Sequence, residues 1–246
     1  MNNIYLAGAS GRLGREIQAS AATKNLKLHP LARADLSVFS KILSNREPSN
    51  AKSILLDVSL PEGTIALTDS LLAGDCKGLR AFIIGSTGHT QETLKKIEQL
   101  SQKLPVILSS NFSRGVFLFE EILKARTTSG ALVADLARTL GFDLALWESH
   151  HTKKLDAPSG TAKTLAEAAQ LSPERIASSR VGSVVGEHSL LFSQEAEELR
   201  LTHTAHARSL FAEGALSLCE RLFERNLKCR MYSMSEALNE LISIGK

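Results

Sequence analysis

Apolar positions in the first half of this chain fall into short unbroken runs separated by stretches with helical spacing. Ile4 to Ala7 is such a run, Gly8 to Gly14 is glycine-rich, and Glu16 to Lys24 carries Ile17, Ala19, Ala21 and Ala22. That order predicts a strand, a tight turn and a helix. The pattern repeats: strands are expected at Leu26 to Leu31, Ser53 to Val58, Ala81 to Ile84 and Val106 to Leu108. Helices are expected at Leu36 to Leu43, Thr64 to Leu72 (after the Pro61-Glu62-Gly63 break) and Gln91 to Gln102. Strands alternating with helices predict an α/β fold whose Rossmann-like parallel sheet is covered on both faces.

After Asn111 the pattern changes. Gly115 to Ala125 reads as an amphipathic helix and Leu140 to Glu148 as a strand running into a charged, proline-containing segment. Val184 to Phe192 and Glu198 to His203 alternate or run apolar as antiparallel strands do, and Ala215 to Arg225 is helical again. This predicts a second, α+β domain with a mostly antiparallel or mixed sheet. The pair between Val184 and His203 also has the option of joining the first sheet. The expected division is 1–111 plus 213–246 for the first domain and 112–212 for the second.

Composition narrows the field. A formal net charge of +3 and 5% aromatic residues offer little to a nucleic acid, and no apolar stretch reaches the roughly 20 residues of a membrane span. The start, Met1-Asn2-Asn3, lacks the basic region of a signal peptide, so no export is expected. Cys76, Cys219 and Cys229 are scattered and odd in number, which fits a reducing cytoplasm and provides no metal pair.

The turn Gly8-Ala9-Ser10-Gly11-Arg12-Leu13-Gly14 follows a strand and opens a helix, where backbone amides and the positive helix end suit a pyrophosphate. Its spacing is GxxGxxG, with Ala9 where the usual dinucleotide fingerprint has a glycine. Gly11 leaves room for phosphates and Gly14 for close helix packing. The alternative is a sharp turn with no ligand. Beyond the second strand, Arg33 would pair with a 2′-phosphate and favour NADPH, whereas Asp35 would bind a ribose hydroxyl and favour NADH; the expectation leans to Arg33 and NADPH. Two loops at the sheet's carboxyl edge, Gly85-Ser86-Thr87-Gly88-His89 and Ser109-Ser110-Asn111-Phe112-Ser113, offer amides and hydroxyls for a nicotinamide and its ribose. Each loop alone reads better as an ordinary polar turn, but together, beyond successive strands of a glycine-turn domain, they gain weight as cofactor contacts.

Titratable groups crowd into Glu148-Ser149-His150-His151-Thr152-Lys153-Lys154-Leu155-Asp156-Ala157-Pro158-Ser159-Gly160-Thr161-Ala162. His150 and His151 point to opposite sides of an extended chain, so they are not expected to share a metal. A lysine near a histidine in a cleft makes an ammonium proton donor. Gly160 and Thr161 precede the apolar-periodic Ala162 to Ala169, so their amides should lie at a helix N-terminus able to take a carboxylate. A solvated charged loop with Ser159 or Thr161 as an N-cap is the plainer alternative. His203 and His206 are expected to be structural, no metal site is expected, and Gly186-Glu187-His188 reads as a turn without a role. No cysteine has a neighbouring base, so a thiol mechanism lacks support.

GASGRLGR at Gly8 to Arg15, DVSLPEG at Asp57 to Gly63, GSTG at Gly85 to Gly88, SSNFSRGV at Ser109 to Val116, HHTKKLDAPSGTA at His150 to Ala162, VVGEHSLLF at Val184 to Phe192 and the stretch from Thr202 through Arg208 to Ala215 succeed one another in a particular order. In that order the chain resembles, nearly end to end, the 4-hydroxy-tetrahydrodipicolinate reductase (dihydrodipicolinate reductase) family of the diaminopimelate and lysine pathway. DAPSGTA after a His-His pair is the most specific of these stretches. The resemblance implies that NAD(P)H reduces a cyclic dicarboxylate. It makes His150 the catalytic histidine, Lys154 the proton donor, and His151, Gly160 and Thr161 carboxylate contacts. Gly8 to Leu13, Gly85 to Thr87 and Ser109 to Phe112 would meet the cofactor. It further implies a homotetramer built through the second domain's sheet and a hinge near Ser110.

The chain departs from the family pattern in three places. Arg33 stands where the family often has an acidic residue, the region between Leu171 and Val184 is short, and His89 replaces a common aromatic or apolar residue. Two other readings are a nucleotide-binding sensor without chemistry and a reductase of a different cyclic dicarboxylate. A sensor would not need His150, His151, Lys154 and Gly160-Thr161 together. A semialdehyde dehydrogenase would need a placed cysteine, which is not found.

Overall fold

The structure is a computed structural model that describes residues 2–46 and 52–242. The described residues of 1–112 and 209–246 form one compact unit, and 113–208 form a second.

In the first unit, β1 (Asn2–Ala7), β2 (Lys27–Pro30), β3 (Lys52–Asp57), β4 (Leu79–Ile84), β5 (Val106–Leu108) and β10 (Met231–Tyr232) make a sheet in the order β10-β5-β4-β3-β1-β2. Every adjacent pair is parallel. The predicted parallel sheet is thus present, and its inner strands β1, β3 and β4 are largely apolar on both faces because both are covered. Tyr5, Ala7, Leu55, Phe82 and Ile84 face a core shared with Leu36, Phe39 and Leu43, and with α3 (Pro61–Ala73) and α4 (Gln91–Ser101). Ile4, Leu6, Ile54, Leu56 and Ile83 are also fully buried. Two further helices, α1 (Arg12–Thr23) and α8 (Ser209–Glu224), pack together, and α8 also meets β4. Each such apolar side chain contributes about 1.5–3 kcal/mol on burial.

The helix expected at Leu36 to Leu43 is divided. A 3₁₀ turn at Arg33–Val38 leads into α2 (Phe39–Arg46), and the Asp35 carboxylate starts the turn by accepting the Ala32 N–H at 2.8 Å. The sequence reading missed β10 and α9 (Met234–Leu241), although Ser233 and Glu236 form a capping box at the start of α9.

The second unit has a mixed sheet in the order β7-β6-β8-β9, formed by β6 (Asp143–His150), β7 (Ile176–Arg180), β8 (Gly186–Gln194) and β9 (Glu197–Ala205). β7 runs parallel to β6, and the other pairs are antiparallel. The pair β8–β9 therefore belongs to this sheet. The strand expected from Leu140 begins at Asp143, because α6 (Val133–Thr139) runs up to Leu140 and Gly141 turns the chain at φ +89°. Gly186-Glu187-His188, expected as a turn, is the first part of β8, held by its pairing with β6 and β9. One face of the sheet packs Leu144, Leu146, Leu190 and Phe192 against α5 (Arg114–Lys124), α6 and α7 (Gly160–Ala168).

Gly8 has φ +80°, and a Cβ there would lie 2.6 Å from the Ser59 nitrogen and the Val58 carbonyl group. Gly130 has a similar φ of +86°, yet nothing lies within 4 Å of an added Cβ. Alanine at Gly130 should cost roughly 1 kcal/mol from backbone strain alone, whereas Gly8→Ala should cost several times that. Urea unfolding of the two variants separates the contributions, and equal losses would show that crowding at Gly8 is relieved.

Candidate active site

Because the strands of the first sheet are parallel, the turns that follow β1, β3, β4 and β5 leave from the same edge. Backbone hydrogen bonds join them in series: Val58 N–H to the Ala7 carbonyl at 3.1 Å, Gly85 N–H to Asp57 at 2.7 Å, and Ser109 N–H to Ile84 at 2.9 Å. The turn after β1 is tight because Gly11 N–H donates to the Gly8 carbonyl at 3.0 Å, and a Cβ on Gly14 would sit 2.1 Å from that same oxygen. Gly14 thus lets the turn cross the first turn of α1. The α1 N-terminus has no side-chain cap and no acidic residue in its first turn. Side chains of α1 instead hold the turn's carbonyls, Arg15 donating to Ser10 and Gln18 to Ala9, each at 2.8 Å. Uncapped amides at the positive end of a helix, in a turn too close for side chains, fit the pyrophosphate of a dinucleotide.

The loops beside this turn are internally braced. The buried Asp57 accepts hydrogen bonds from the Ser59 amide and hydroxyl and from Thr64. Burial nevertheless leaves its carboxyl above the ordinary range. Thr64 also meets the buried Ser86 hydroxyl, and His89 turns back to bond the Ser86 carbonyl at 2.9 Å, closing the loop Gly85–His89. Thr87 is exposed. In the second loop the Ser109 hydroxyl donates to the Asn111 carbonyl at 2.6 Å, Ser110 is exposed, and Phe112 is buried with its ring over Gly85. Arg33 is exposed at the start of its 3₁₀ turn, whereas Asp35 is engaged as that turn's cap. Asp57 and Thr64 were missed from sequence, although DVSLPEG contains the first.

The dense segment lies in the second unit. Alternation along β6 puts Glu148 and His150 on the same covered face as Leu144 and Leu146. Glu148 is fully buried. Its Oε1 accepts from the Ser159 N–H at 3.0 Å, the Ser178 hydroxyl at 2.8 Å and the Arg180 guanidinium at 3.1 Å. Burial pushes its carboxyl up, but these hydrogen bonds outweigh burial and hold it below the ordinary range. Its Oε2 faces His150 Nδ1 at 3.3 Å and His188 Nε2 at 3.7 Å. Burial lowers the proton affinity of His150, with Glu148 opposing and Lys154 and Arg180 assisting. His188 is lowered to about 3, chiefly by burial and then by His150.

From His150 the chain turns through His151 and Lys154, whose amide donates to the His151 carbonyl at 3.0 Å. Lys154 Nζ pairs with Asp156 at 2.9 Å, and Arg180 braces the loop by donating to the carbonyls of Lys154 and Asp156. Ser159 caps α7 by accepting from the Ala162 N–H at 3.1 Å, so Gly160 and Thr161 are the first two residues of the helix, with no acidic residue in that turn. His150 and this helix end, both singled out from sequence, thus meet at the Glu148 carboxylate, while Lys154 follows on the same loop with its ammonium on Asp156.

Glu148 had no role in the sequence reading, and neither did Ser178, Arg180 or His188. Period two offered the signal for two of them, since Glu148 continues the stripe of Leu144 and Leu146, and His188 that of Leu190 and Phe192. The donor atoms of Glu148, His150 and His188 lie within 4.8 Å of one another, a spacing a metal ion could also accept. The Arg180 guanidinium on the same carboxylate already supplies the positive charge there. His203, on β9, meets the Ser113 hydroxyl at 3.2 Å, while His206 is exposed. Cys219 is buried in α8, and burial pushes its thiol up, away from thiolate chemistry.

A glycine-turn parallel sheet in one unit, and histidines and a lysine beside a helix end in the other, define a two-unit α/β protein of the nucleotide-binding class. Family models described as dihydrodipicolinate reductase, N-terminus and C-terminus, match residues 2–112 and 127–238. The chain is 33% identical to 4-hydroxy-tetrahydrodipicolinate reductase of Zymomonas mobilis over 260 residues, covering 96% of each chain. It is 30% identical to that of Buchnera aphidicola over 279 residues, covering 96% of this chain and 97% of the relative. A dipicolinate-bound dihydrodipicolinate reductase structure from Paenisporosarcina sp. TG-14 superposes with a TM-score of 0.67 at 21% identity, covering 95% and 97% of the two chains, a likeness of fold. The chain belongs to the dihydrodipicolinate reductase family, and it is a nicotinamide-dependent oxidoreductase. Among the described residues, no helix is long and apolar enough to cross a membrane.

The folded protein keeps His188 neutral down to about pH 3, whereas the unfolded chain protonates it near 6.5. Between those values the unfolded state binds the extra proton, so stability falls as pH falls, by at most about 1.4 kcal/mol per pH unit for one group. Urea titrations from pH 7 to pH 5 should therefore show a flatter decline for His188→Gln than for the parent protein. Parallel curves would mean that His188 does not stay neutral in the fold.

Proposed function

We propose that the chain reduces 4-hydroxy-tetrahydrodipicolinate to tetrahydrodipicolinate in lysine and diaminopimelate biosynthesis, with the first unit holding the dinucleotide and the second the substrate. The observation that carries this reading is the meeting of His150 and the α7 N-terminus at one buried carboxylate, with Lys154 close enough to lower the proton affinity of His150. The residues of the first unit fit the cofactor: Gly8, Ala9, Ser10, Gly11, Arg12 and Leu13 for the pyrophosphate, and Gly85 to Thr87 with Ser109 to Phe112 for the nicotinamide ribose. When bound, the dinucleotide supplies the hydride.

The rest falls to the chain's own groups. The amides of Gly160 and Thr161, at the positive end of α7, hold one substrate carboxylate, and His151 contacts the other. Lys154 delivers a proton from Nζ to the carbon beside the one that receives hydride. His150, whose proton affinity the nearby Lys154 charge lowers, assists. Asp156 keeps Lys154 turned back against its own loop until a substrate competes for the ammonium. Orientation of the ring contributes several kcal/mol, and one placed acid about 10²- to 10⁴-fold.

NADPH is the favoured reductant, because Asp35 already caps its 3₁₀ turn while Arg33 is exposed beside it. The four-stranded sheet supports assembly into a homotetramer, since its outer face bears Trp147, which is 41% exposed, together with Ala145, Ala177 and Leu191. The free thiols Cys76, Cys219 and Cys229 fit residence in a reducing cytoplasm.

Absorbance of NADPH and NADH, followed with freshly generated hydroxy-tetrahydrodipicolinate, tests the activity directly; no oxidation of either would reject it. Lys154→Ala should lower kcat by about 10²- to 10⁴-fold with NADPH affinity unchanged, and near-normal turnover would remove Lys154 from the mechanism. In the same assay Arg33→Ala should lose about tenfold or more in kcat/KM for NADPH and little for NADH, as expected for one charged hydrogen-bond partner. A parent enzyme that prefers NADH would overturn the role of Arg33.

A further inference from the structure

Glu148 holds two parts of the substrate site through two different oxygens. Oε1 binds the backbone N–H of Ser159, the residue that caps α7, and so fixes where the Gly160 and Thr161 amides begin. Oε2 faces His150 Nδ1 at 3.3 Å and His188 Nε2 at 3.7 Å, and both Oε2 and His150 Nδ1 are buried without a hydrogen-bond partner among the described residues. Two orphaned polar atoms facing each other at that distance are satisfied together by a proton on Nδ1. Gly186 on β8 leaves space for this ring, since a Cβ there would lie 3.2 Å from its Nε2.

We propose that Glu148 is a positioning residue that holds His150 as its Nδ1–H tautomer and at the same time holds the N-terminus of α7, linking the proton-handling group to the anion site. The proposal rests on the functional reading above. The carboxylate acts through His150 and Ser159 and touches no reacting atom. Ser178 and Arg180, both on β7, fix Oε1 from the far side, so the carboxylate cannot rotate to serve only one of its two tasks. The groups facing His150 are Glu148 on its own strand, His188 on β8, Lys154 and Asp156 on the following loop, and Arg180 on β7. Among these Glu148 is the one carboxylate in direct contact.

The test combines imidazole ¹⁵N NMR with steady-state kinetics on the full chain. In the parent protein at neutral pH, the His150 shifts should show a protonated Nδ1; a dominant Nε2–H tautomer would overturn the proposal without any variant. In Glu148→Gln the His150 midpoint should fall by about one pH unit, since a stabilising negative charge is removed. KM for the dicarboxylate should rise several-fold and kcat should fall about tenfold or more, with NADPH affinity unchanged. Glu148→Asp, which keeps the charge on a shorter arm, should return the midpoint toward that of the parent while KM stays raised. A folded Glu148→Gln whose His150 midpoint is unmoved would refute the proposal. These NMR measurements need no turnover, so they stand or fall separately from the reductase reading, which fails only if the parent oxidises neither cofactor.

Discussion

A carboxylate withdrawn completely from water must be compensated by the protein around it, and in the second unit that requirement falls on Glu148. An uncompensated buried charge costs several kcal/mol, comparable with much of a domain's stability. Three donors meet one of its oxygens, and they come from β7 and from the residue that caps α7. Two imidazoles, from β6 and β8, face the other. Three strands and a helix are thus set against a single side chain. The loop 151–159, which carries Lys154, leaves β6 beside this carboxylate and returns to it at Ser159, so its two ends are fixed even though Leu155 is almost fully exposed.

The first unit is governed by close approach instead of charge. A Cβ on Gly14 would strike the Gly8 carbonyl, one on Gly85 the ring of Phe112, and one on Gly214 the Phe112 carbonyl at 1.7 Å. Each contact brings one loop or helix against another at a distance that only hydrogen permits. The Asp57, Thr64, Ser86 and His89 chain then fixes the polar side of the same edge. Backbone amides are left as the main chemistry that edge can offer, which suits a ligand recognised by its phosphates.

Much of the first unit was legible because a parallel sheet covered on both faces writes itself as apolar runs, and short runs such as Ile54 to Leu56, alternating with helical stretches, are too brief for buried helices. The second unit was harder for reasons that lie in pairing. Ile176–Arg180 is short and polar, and it becomes a strand because β6 offers it a partner, which no local propensity records. His150, Lys154, Gly160 and Thr161 stood out because titratable groups and a helix start are dense in one stretch. Glu148 stood in that stretch and still received no role. The donors that give it one, Ser178 and Arg180, are 30 and 32 residues away.

Two histidines share one oxygen of Glu148, yet they cannot share a function. Both are lowered by burial, but His188 is deeper and its proton affinity is depressed to about 3, while His150 keeps a side chain 10% exposed and gains from direct contact with the carboxylate. Protonating both would place two positive imidazoles 5.1 Å apart beside Arg180 and Lys154. Burial therefore separates the pair: His188 stays neutral and can hydrogen-bond the Ser159 hydroxyl, and His150 is the more easily protonated of the two. The difference does not come from the residue type, which is the same, but from which strand of the sheet presents it.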